Sequence, residues 1–283
     1  MRTLIVLGLA VLTGSVFAAV PAGWTPFVIG ELVPDSICNV AGLAGGPAGA
    51  KGFVSVGTGH YLDGAGKRRR FLATNATFGD AFPDQAMAPK IAARMAALGI
   101  NCVRFHHMDN QYKPRGIWDA AFKDRQHLDA EQVDRLDWFI YQLKQNGLYA
   151  DLNLHVSRQL GEADGVAAPA GMENYNKGVD NFNPRMIELQ RNYARDLLTH
   201  VNPYIKTAYA NEPAVAMVEI NNENSLLSFA VGGRLNLPEP YGSELAGYWC
   251  EWLKGQYKGT EGLCSPPEAR RGCGCLSRRC WRC

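Results

Sequence analysis

Along the chain, short runs with the pattern of a β-strand alternate with longer stretches in which apolar residues recur at the period of an α-helix. Four short runs have the composition of β-strands and are bounded by turn residues, at 70–75, 100–107, 148–155 and 214–224. Apolar residues recur at helical spacing in 91–98, 129–147, 183–197 and 241–257. Strand and helix therefore alternate four times, which predicts an α/β fold with a parallel sheet, either doubly wound or closed into a barrel.

A β-hairpin is predicted ahead of the alternating region. The runs 53–56 and 61–62 flank Gly57-Thr58-Gly59, a composition that is typical of a hairpin turn. Residues 20–52 are rich in Pro, Gly and Ala, show neither period, and are expected to form an extended leader. The main body is predicted to span 53–263.

The first 19 residues have the pattern of a secretory signal peptide. Arg2 precedes the apolar run 4–12, and small residues near Ala18 and Ala19 offer a cleavage site. The apolar run is shorter than the about 20 residues that a membrane-spanning helix needs. We therefore expect a secreted or periplasmic protein with no membrane partner after cleavage.

The last residues, 264–283, form a tail that differs in composition from the rest. They hold five of the eight cysteines and five arginines against one glutamate, a net charge of +4. Because the whole chain carries +2, the remainder is slightly acidic and predicts no nucleic-acid partner. The tail is either an out-of-frame reading or a true basic appendage, and its cysteines do not form the two Cys-x-x-Cys pairs of a usual zinc site.

All four predicted strands end in polar side chains, namely Asn75, Arg104 with His106, His155, and Asn222 with Glu223. The carboxyl ends of parallel strands lie at one edge, and a barrel brings them together there. No Gly-x-Gly-x-x-Gly run follows the first strand, which disfavours a nucleotide-binding doubly wound sheet. In the last strand, alternation places Glu219, Asn221 and Glu223 on one face.

These strands resemble those of the clan A retaining glycoside hydrolases, especially the cellulase-like glycoside hydrolase family 5. The resemblance rests on Val103-Arg-Phe-His-His107, Asp151-Leu-Asn-Leu-His155 and Val218-Glu-Ile-Asn-Asn-Glu223, together with 71–75 before a long loop. It spans about 53–263. It implies a (β/α)8 TIM barrel, of which the chain supplies the first four βα units.

The resemblance also implies roles for individual residues. Glu223 would be the general acid/base, and Asn222 would bind the 2-hydroxyl group of the sugar. Arg104 would help to hold the nucleophile, and His155 would belong to the sugar subsite. Further candidates for substrate binding are His106, His107, Asn75 and Trp118. The expected partner is a carbohydrate substrate, with no cofactor and no metal ion.

Hydrolysis with retention requires two carboxyl groups about 5–5.5 Å apart, one acid with a raised pKa and one ionised nucleophile. Glu223 can be the acid. The resemblance implies that the nucleophile is a Glu on a seventh strand, which we expect beyond the end of this chain. The chain is therefore expected to belong to a glycosidase acting on a poly- or oligosaccharide or, alternatively, to be a truncated, inactive half-barrel that at most binds sugar weakly.

A second Asn-Glu pair, in Asn211-Glu212-Pro213, precedes the last strand instead of following it. This position predicts a loop at the opposite end of a barrel, where residues serve stability.

Several candidates have a plainer interpretation. His106 and His107 are either ordinary hydrogen-bonding histidines or members of a sugar subsite. Trp118 and Tyr175, both in long loops, are either sugar-stacking rings or common loop aromatics. A metal site built on His155 lacks support, because no short His-x-x-x-His spacing occurs in the chain.

Overall fold

The computed structural model describes Gly23 and residues 36–232 and 237–257. The predicted signal peptide (1–19) and the tail (264–283) lie outside the described residues, as does the leader up to residue 35 apart from Gly23.

Within these ranges the chain forms β-strands and α-helices in alternation. The strands are β1 (Ser55–Gly57), β2 (His60–Leu62), β3 (Arg68–Arg69), β4 (Ala73–Thr77), β5 (Cys102–His106), β6 (Tyr149–Asn153), β7 (Val201–Asn202), β8 (Thr207–Ala208) and β9 (Val215–Glu219). The helices are α1 (Met87–Ala97), α2 (Ala130–Gln145), α3 (Pro184–Leu198), α4 (Leu226–Val231) and α5 (Tyr241–Tyr257). None of the helices in the described ranges is long and apolar enough to cross a membrane.

The central sheet contains four parallel strands in the order β4-β5-β6-β9. A helix connects each strand to the next, because parallel neighbours require a crossover connection. In register, Asn75 of β4 lies opposite Arg104 of β5, which lies opposite Asp151 of β6. The four predicted βα units are therefore present, and the short helix α4, which was not predicted, lies between β9 and α5.

The fourth strand of the sheet is shorter than predicted. It ends at Glu219, opposite Asn153, which is the last residue of β6. Beyond that point the backbone N–H of Asn222 donates to the carbonyl of His155 at 2.9 Å, and Glu223 has a left-handed φ of +48°. Strand alternation therefore stops at Glu219, and the prediction that Glu223 shares its face by alternation is wrong.

Side-chain caps define the beginnings of the helices. Asp129 accepts from the backbone N–H of Gln132 at the start of α2, and Asn183 accepts from that of Met186 at the start of α3. Helix α1 begins at Met87, four residues before the predicted start, because Pro89 falls in the first turn, where its missing N–H is not needed.

One face of the sheet packs on the helices and forms the main core. Val103 and Phe105 of β5 and Leu152 of β6 are completely buried, and the Phe105 ring meets Phe139 of α2 edge to face at 5.8 Å. Each such side chain contributes about 1.5–3 kcal/mol through burial. Residues between them in sequence, such as Arg104, must point to the opposite face of the sheet, which we call the polar face.

The amino ends of the strands are covered by the hairpin and the segment before it. The predicted hairpin, β1 and β2, is extended by β3 into a three-stranded antiparallel sheet. Gly49, with a φ of +73°, lies so close to the start of β9 that an added Cβ would stand 2.6 Å from the nitrogen of Ala214. The opposite side, where the carboxyl ends of the four strands lie, is left uncovered by the hairpin, and we call it the open edge.

Candidate active site

Arg104 holds two residues of the fourth βα unit at the open edge. Its Nε and Nη2 lie 2.7 and 2.6 Å from Oε2 of Glu219, and Nη2 also donates to Oδ1 of Asn222 at 2.9 Å. The side chains of Arg104 and Glu219 are 22% and 29% exposed. These charge-assisted bonds fix the position of Asn222 across 118 residues of sequence.

The polar face around Arg104 carries buried atoms with no partner among the described residues. They include Asp151 Oδ1, His106 Nδ1 and both polar atoms of the Asn153 side chain. Asn153 lies near His106, but the two side chains do not reach hydrogen-bond geometry. Because buried polar groups are costly when unpaired, this face is suited to a polar ligand or to water.

The charges on this face influence one another. Burial raises the pKa of Asp151, and the neighbouring carboxylate of Glu219 raises it further. Burial also lowers the pKa of His106, an effect to which Arg104 adds. A neutral His106 can both donate and accept hydrogen bonds, which suits hydroxyl groups.

His107 lies next to this face with a left-handed φ of +57°. Its ring stacks on Phe78 at 4.5 Å, and its Nδ1 lies 2.7 Å from Oγ of Ser157. Burial lowers the pKa of His107, and the charges of Lys177 and Glu223 act on it in opposite directions. His107 is therefore close enough to Glu223 for the charge of this carboxylate to raise its pKa.

Glu223 is exposed and borders an open groove of about 430 Å³. Within the part of the chain that the structure describes, its carboxylate forms no hydrogen bond or ion pair. The groove is lined by Glu173, Asn174, Tyr175, Lys177, Glu223, Asn224, Ser225, Ser228 and Phe229. A carboxyl group in this setting can exchange a proton with a molecule bound in the groove.

The described residues include no group of three or more His, Cys, Asp or Glu side chains that could hold a metal ion.

The sequence of this chain matches the model of a known protein family. The cellulase family model, glycosyl hydrolase family 5, matches residues 62–228, which is more than half of the 283-residue chain. The chain belongs to glycosyl hydrolase family 5. The resemblance drawn from the strand motifs is thereby confirmed. No curated protein matches this family 5 chain.

Three solved structures are similar to parts of this chain. The endo-1,4-beta-mannanase from Rhizomucor miehei matches with a TM-score of 0.50 and 19% identity, over 72% of this chain and 57% of the mannanase. A family 5 mannosidase from Rhizomucor miehei has a TM-score of 0.47 and 13% identity, over 73% of this chain and 69% of its own. The endo-beta-1,4-mannanase from Thermotoga petrophila has a TM-score of 0.43 and 18% identity, over 67% and 41%.

The family and the first of these structures confirm the predicted fold class, an α/β fold of the (β/α)8 barrel type. The family 5 chain contributes four parallel strands to it within the described ranges. It spans less than two thirds of the length of either mannanase.

Five predicted site residues lie at or near the open edge: Arg104, Asn222, Glu223, His106 and His107. Asn75 joins them on the polar face, exposed and directly opposite Arg104 in the sheet. Their convergence follows from the common direction of the parallel strands.

Trp118 lies elsewhere, and its position contradicts the predicted sugar-stacking role. It is 1% exposed, packs against Tyr193 with ring centroids 5.0 Å apart, and donates its Nε1–H to the carbonyl of Asp109 at 2.7 Å. The loop that carries Trp118 folds back into the core, because burial of the large indole ring is more favourable in free energy than its exposure to solvent.

His155 is also buried, with 3% of its surface exposed. Its Nε2 lies 2.5 Å from Oδ2 of Asp180, a buried carboxylate in the loop before α3. This burial indicates a supporting position beneath the open edge, and the place of His155 in a sugar subsite stays a prediction.

Sequence reasoning missed two residues of the site. Glu219 was predicted only to share a face with Asn221 and Glu223, because its pairing with Arg104 joins residues 115 positions apart. Lys177 stands in a loop without periodicity, so no sequence signal identified it.

Proposed function

We propose that this family 5 chain carries the acid/base site of a glycoside hydrolase that cleaves O-glycosidic bonds in a poly- or oligosaccharide. The position of Glu223 is the observation that carries the proposal. Its carboxylate is exposed on a groove, unpaired among the described residues, and next in sequence to the Asn222 that Arg104 holds. A general acid must reach the glycosidic oxygen, and this setting allows it to do so.

The proposed mechanism is hydrolysis with retention. Glu223 protonates the leaving oxygen in the first step and removes a proton from the attacking water in the second. The nucleophile is a second carboxylate. Glu219 is a poor candidate, because one of its oxygens already accepts two guanidinium N–H groups. We therefore assign the nucleophile to a residue outside the described sheet.

Asn222 is proposed to bind the sugar hydroxyl next to the bond that breaks. Its Oδ1 accepts from Arg104, which turns its NH₂ group away from the guanidinium. That NH₂ group can donate to a substrate hydroxyl. Arg104 would thus orient Asn222 as well as Glu219.

His106, His107 and Asn75 are proposed to contact sugar hydroxyls along the polar face. The lowered pKa values of the two histidines favour the neutral rings near pH 7. A neutral imidazole has one donor and one acceptor, and so matches a hydroxyl group without attracting an anion.

Sugar binding without turnover is the second candidate function. It is favoured by the engagement of Glu219 with Arg104, since no other carboxylate of β9 faces the polar side.

Export of the protein also remains a proposal, supported by the signal-like composition of 1–19.

The test is hydrolysis by the purified chain of aryl β-glucoside, β-mannoside and β-galactoside, and of β-1,4-mannan and cellulose. Glu223→Gln is expected to remove most activity on the polysaccharides but much less on aryl glycosides, whose good leaving groups need little protonation. Glu173→Gln, the same chemical change in the same groove, serves as the matched control and is expected to cost less.

Equal losses on both substrate classes after Glu223→Gln would contradict the acid role. Binding of a manno-oligosaccharide or cello-oligosaccharide in calorimetry, without turnover of any substrate, would favour the second candidate. No binding and no turnover would contradict both.

A further inference from the structure

Asn224, the residue that follows Glu223, forms hydrogen bonds to one distant loop through both the oxygen and the nitrogen of its side-chain amide. Oδ1 of Asn224 accepts from the backbone N–H of Gly178 at 2.8 Å and from Nδ2 of Asn181 at 3.0 Å. Nδ2 of Asn224 donates to Oδ2 of Asp180 at 2.7 Å. Three hydrogen bonds therefore connect the position after Glu223 to a loop more than 40 residues earlier.

Asp180 is the centre of this connection. It is 2% exposed, and its Oδ2 lies within hydrogen-bond distance of both Asn224 and Nε2 of His155, at 2.7 and 2.5 Å. Its backbone carbonyl accepts from Nε2 of Gln190 on α3 at 2.9 Å. Asp180 is thus held through its backbone by α3 and through its carboxylate by His155, in the segment that follows β6.

His155 holds the other side of Glu223. Its backbone carbonyl accepts from the N–H of Asn222, while its ring reaches Asp180. Its Nδ1 lies 3.7 Å from Oδ2 of Asp109, a carboxylate that accepts three successive backbone N–H groups, from residues 156–158. His155 is itself fixed, so it can serve as an anchor.

Glu223 stands between these two attachments in a left-handed conformation, with a φ of +48°. Such a conformation is unfavourable for a residue with a Cβ, and it persists where the surroundings impose it. The bonds of Asn222 and Asn224 impose it here. Without them, the segment would relax towards an ordinary conformation and the carboxylate would move relative to the groove.

We propose that Asp180 is a positioning residue for Glu223, acting through Asn224 and His155 to keep the carboxylate in the groove. This inference rests on the proposed acid/base function of Glu223. Among the described hydrogen bonds of Asp180, the one to a groove-lining residue is that with Asn224, so its effect on catalysis is indirect. Its influence is therefore on the orientation of Glu223 and not on substrate binding.

Two single substitutions and their combination test the connection. Asn224→Asp replaces the NH₂ donor by a carboxylate oxygen that faces the carboxylate of Asp180, so the bond is lost and like charges meet. Asp180→Asn removes the charge. In the combined variant, the amide introduced at 180 can donate to the carboxylate introduced at 224, which restores the pair in reversed direction.

Kinetics on β-1,4-mannan and on an activated aryl β-mannoside provide the first readout. Asn224→Asp is expected to lower kcat on the polysaccharide by about 10- to 100-fold with little change in KM, because small misplacements of a catalytic group have effects of this size. The loss should be smaller on the aryl glycoside, as for Glu223→Gln. The combined variant should recover a large part of it.

Hydrogen exchange of the backbone N–H groups of Asn222 and Gly178, which donate to His155 and Asn224, provides a readout that needs no turnover. These protons should exchange slowly in the unmodified chain and at least about tenfold faster in both single variants, since their protection depends on the attachments. Asp164→Asn is the matched control. Asp164 is equally buried in the same loop region and accepts backbone N–H groups, but it has no bond to Asn224.

Unchanged exchange at Asn222 and Gly178 in both single variants, or a loss of protection in Asp164→Asn as large as theirs, would overturn the inference whether or not the chain hydrolyses glycosides. Equal kinetic losses on both substrates with no recovery in the combined variant would also overturn it. If the unmodified chain hydrolyses nothing, the proposed function fails, and the exchange measurements alone decide whether Asp180 positions Glu223.

Discussion

Asn211-Glu212 and Asn222-Glu223 have the same side chains and stand at opposite ends of β9. Glu212 is 1% exposed at the closed edge of the sheet, where its Oε1 lies 2.8 Å from Nζ of Lys144 and accepts from the backbone N–H of Ala214 at 2.8 Å. Every part of its surroundings is supplied by the protein. It joins β9 to α2 and has no access to a ligand.

Glu223 differs from Glu212 in each of these respects. It is exposed, borders a groove, and is unpaired among the described residues. Its backbone is left-handed, whereas that of Glu212 is extended, with φ −96° and ψ 112°. The comparison shows that the strand end decides whether an Asn-Glu pair can contact a ligand, because only the carboxyl edge is left open.

The largest expected effect separates the two glutamates by function. Glu223→Gln should reduce polysaccharide hydrolysis by about 10²- to 10⁴-fold, the usual contribution of a general acid. The melting temperature should hardly change, since the side chain is exposed and unpaired among the described residues. Initial rates and thermal unfolding measured on the same preparation check both statements, and a strongly destabilised variant would erase the contrast.

The second effect separates them by stability. Glu212→Gln leaves Lys144 without its charged partner while keeping the possibility of one bond to Ala214, which should cost about 1–3 kcal/mol. The melting temperature should fall, and activity per folded molecule should remain. Specific loss of kcat with unchanged stability would show that the pair at the closed edge takes part in catalysis.

The third effect concerns the residue that holds the open edge together. Arg104→Ala should lower kcat/KM at least about tenfold, roughly 1.4 kcal/mol, because Asn222 and Glu219 lose their common partner. Arg104→Lys should recover little, since an ammonium group cannot reproduce the planar fork. Kinetics equal to those of the unmodified chain in both variants would remove Arg104 from the site.

The smallest effect is a difference in pH dependence between the two histidines and Asp151, on or next to the polar face. Burial lowers the pKa of His106 and His107, so their stabilising contribution is complete above the unfolded value of about 6.5 and is lost as the pH falls below it. Replacing both by Gln should flatten the loss of melting temperature between pH 7 and pH 5. Asp151→Asn tests the opposite sign.

Burial raises the pKa of Asp151, so its contribution is present below the unfolded pKa and is lost as the pH rises through the folded one. Asp151→Asn should therefore increase stability more at pH 7 than at pH 4. A parallel pH profile for this variant and the double His variant would contradict the assignment of charges on the polar face.

Much of the site could be predicted from sequence because strand direction is a local property. Arg104 and His106 stand two positions apart, so alternation predicts that they share one face, and the burial pattern of β5 confirms it. The same rule failed for Glu223, since alternation holds only while a neighbouring strand pairs. Trp118 was misassigned because loop composition does not tell whether a large ring turns outwards or into the core.

The sequence by itself determined the order of the four βα units, the family and the edge at which polar groups converge. These depend on periods of two and 3.6 residues and on short motifs, which a single stretch of chain contains. The tertiary structure alone decided that β9 ends at Glu219, that Arg104 holds Asn222, and that Asp180 connects His155 to Asn224. Those contacts join residues from 25 to 118 positions apart, and no local pattern records which distant partner a side chain will meet.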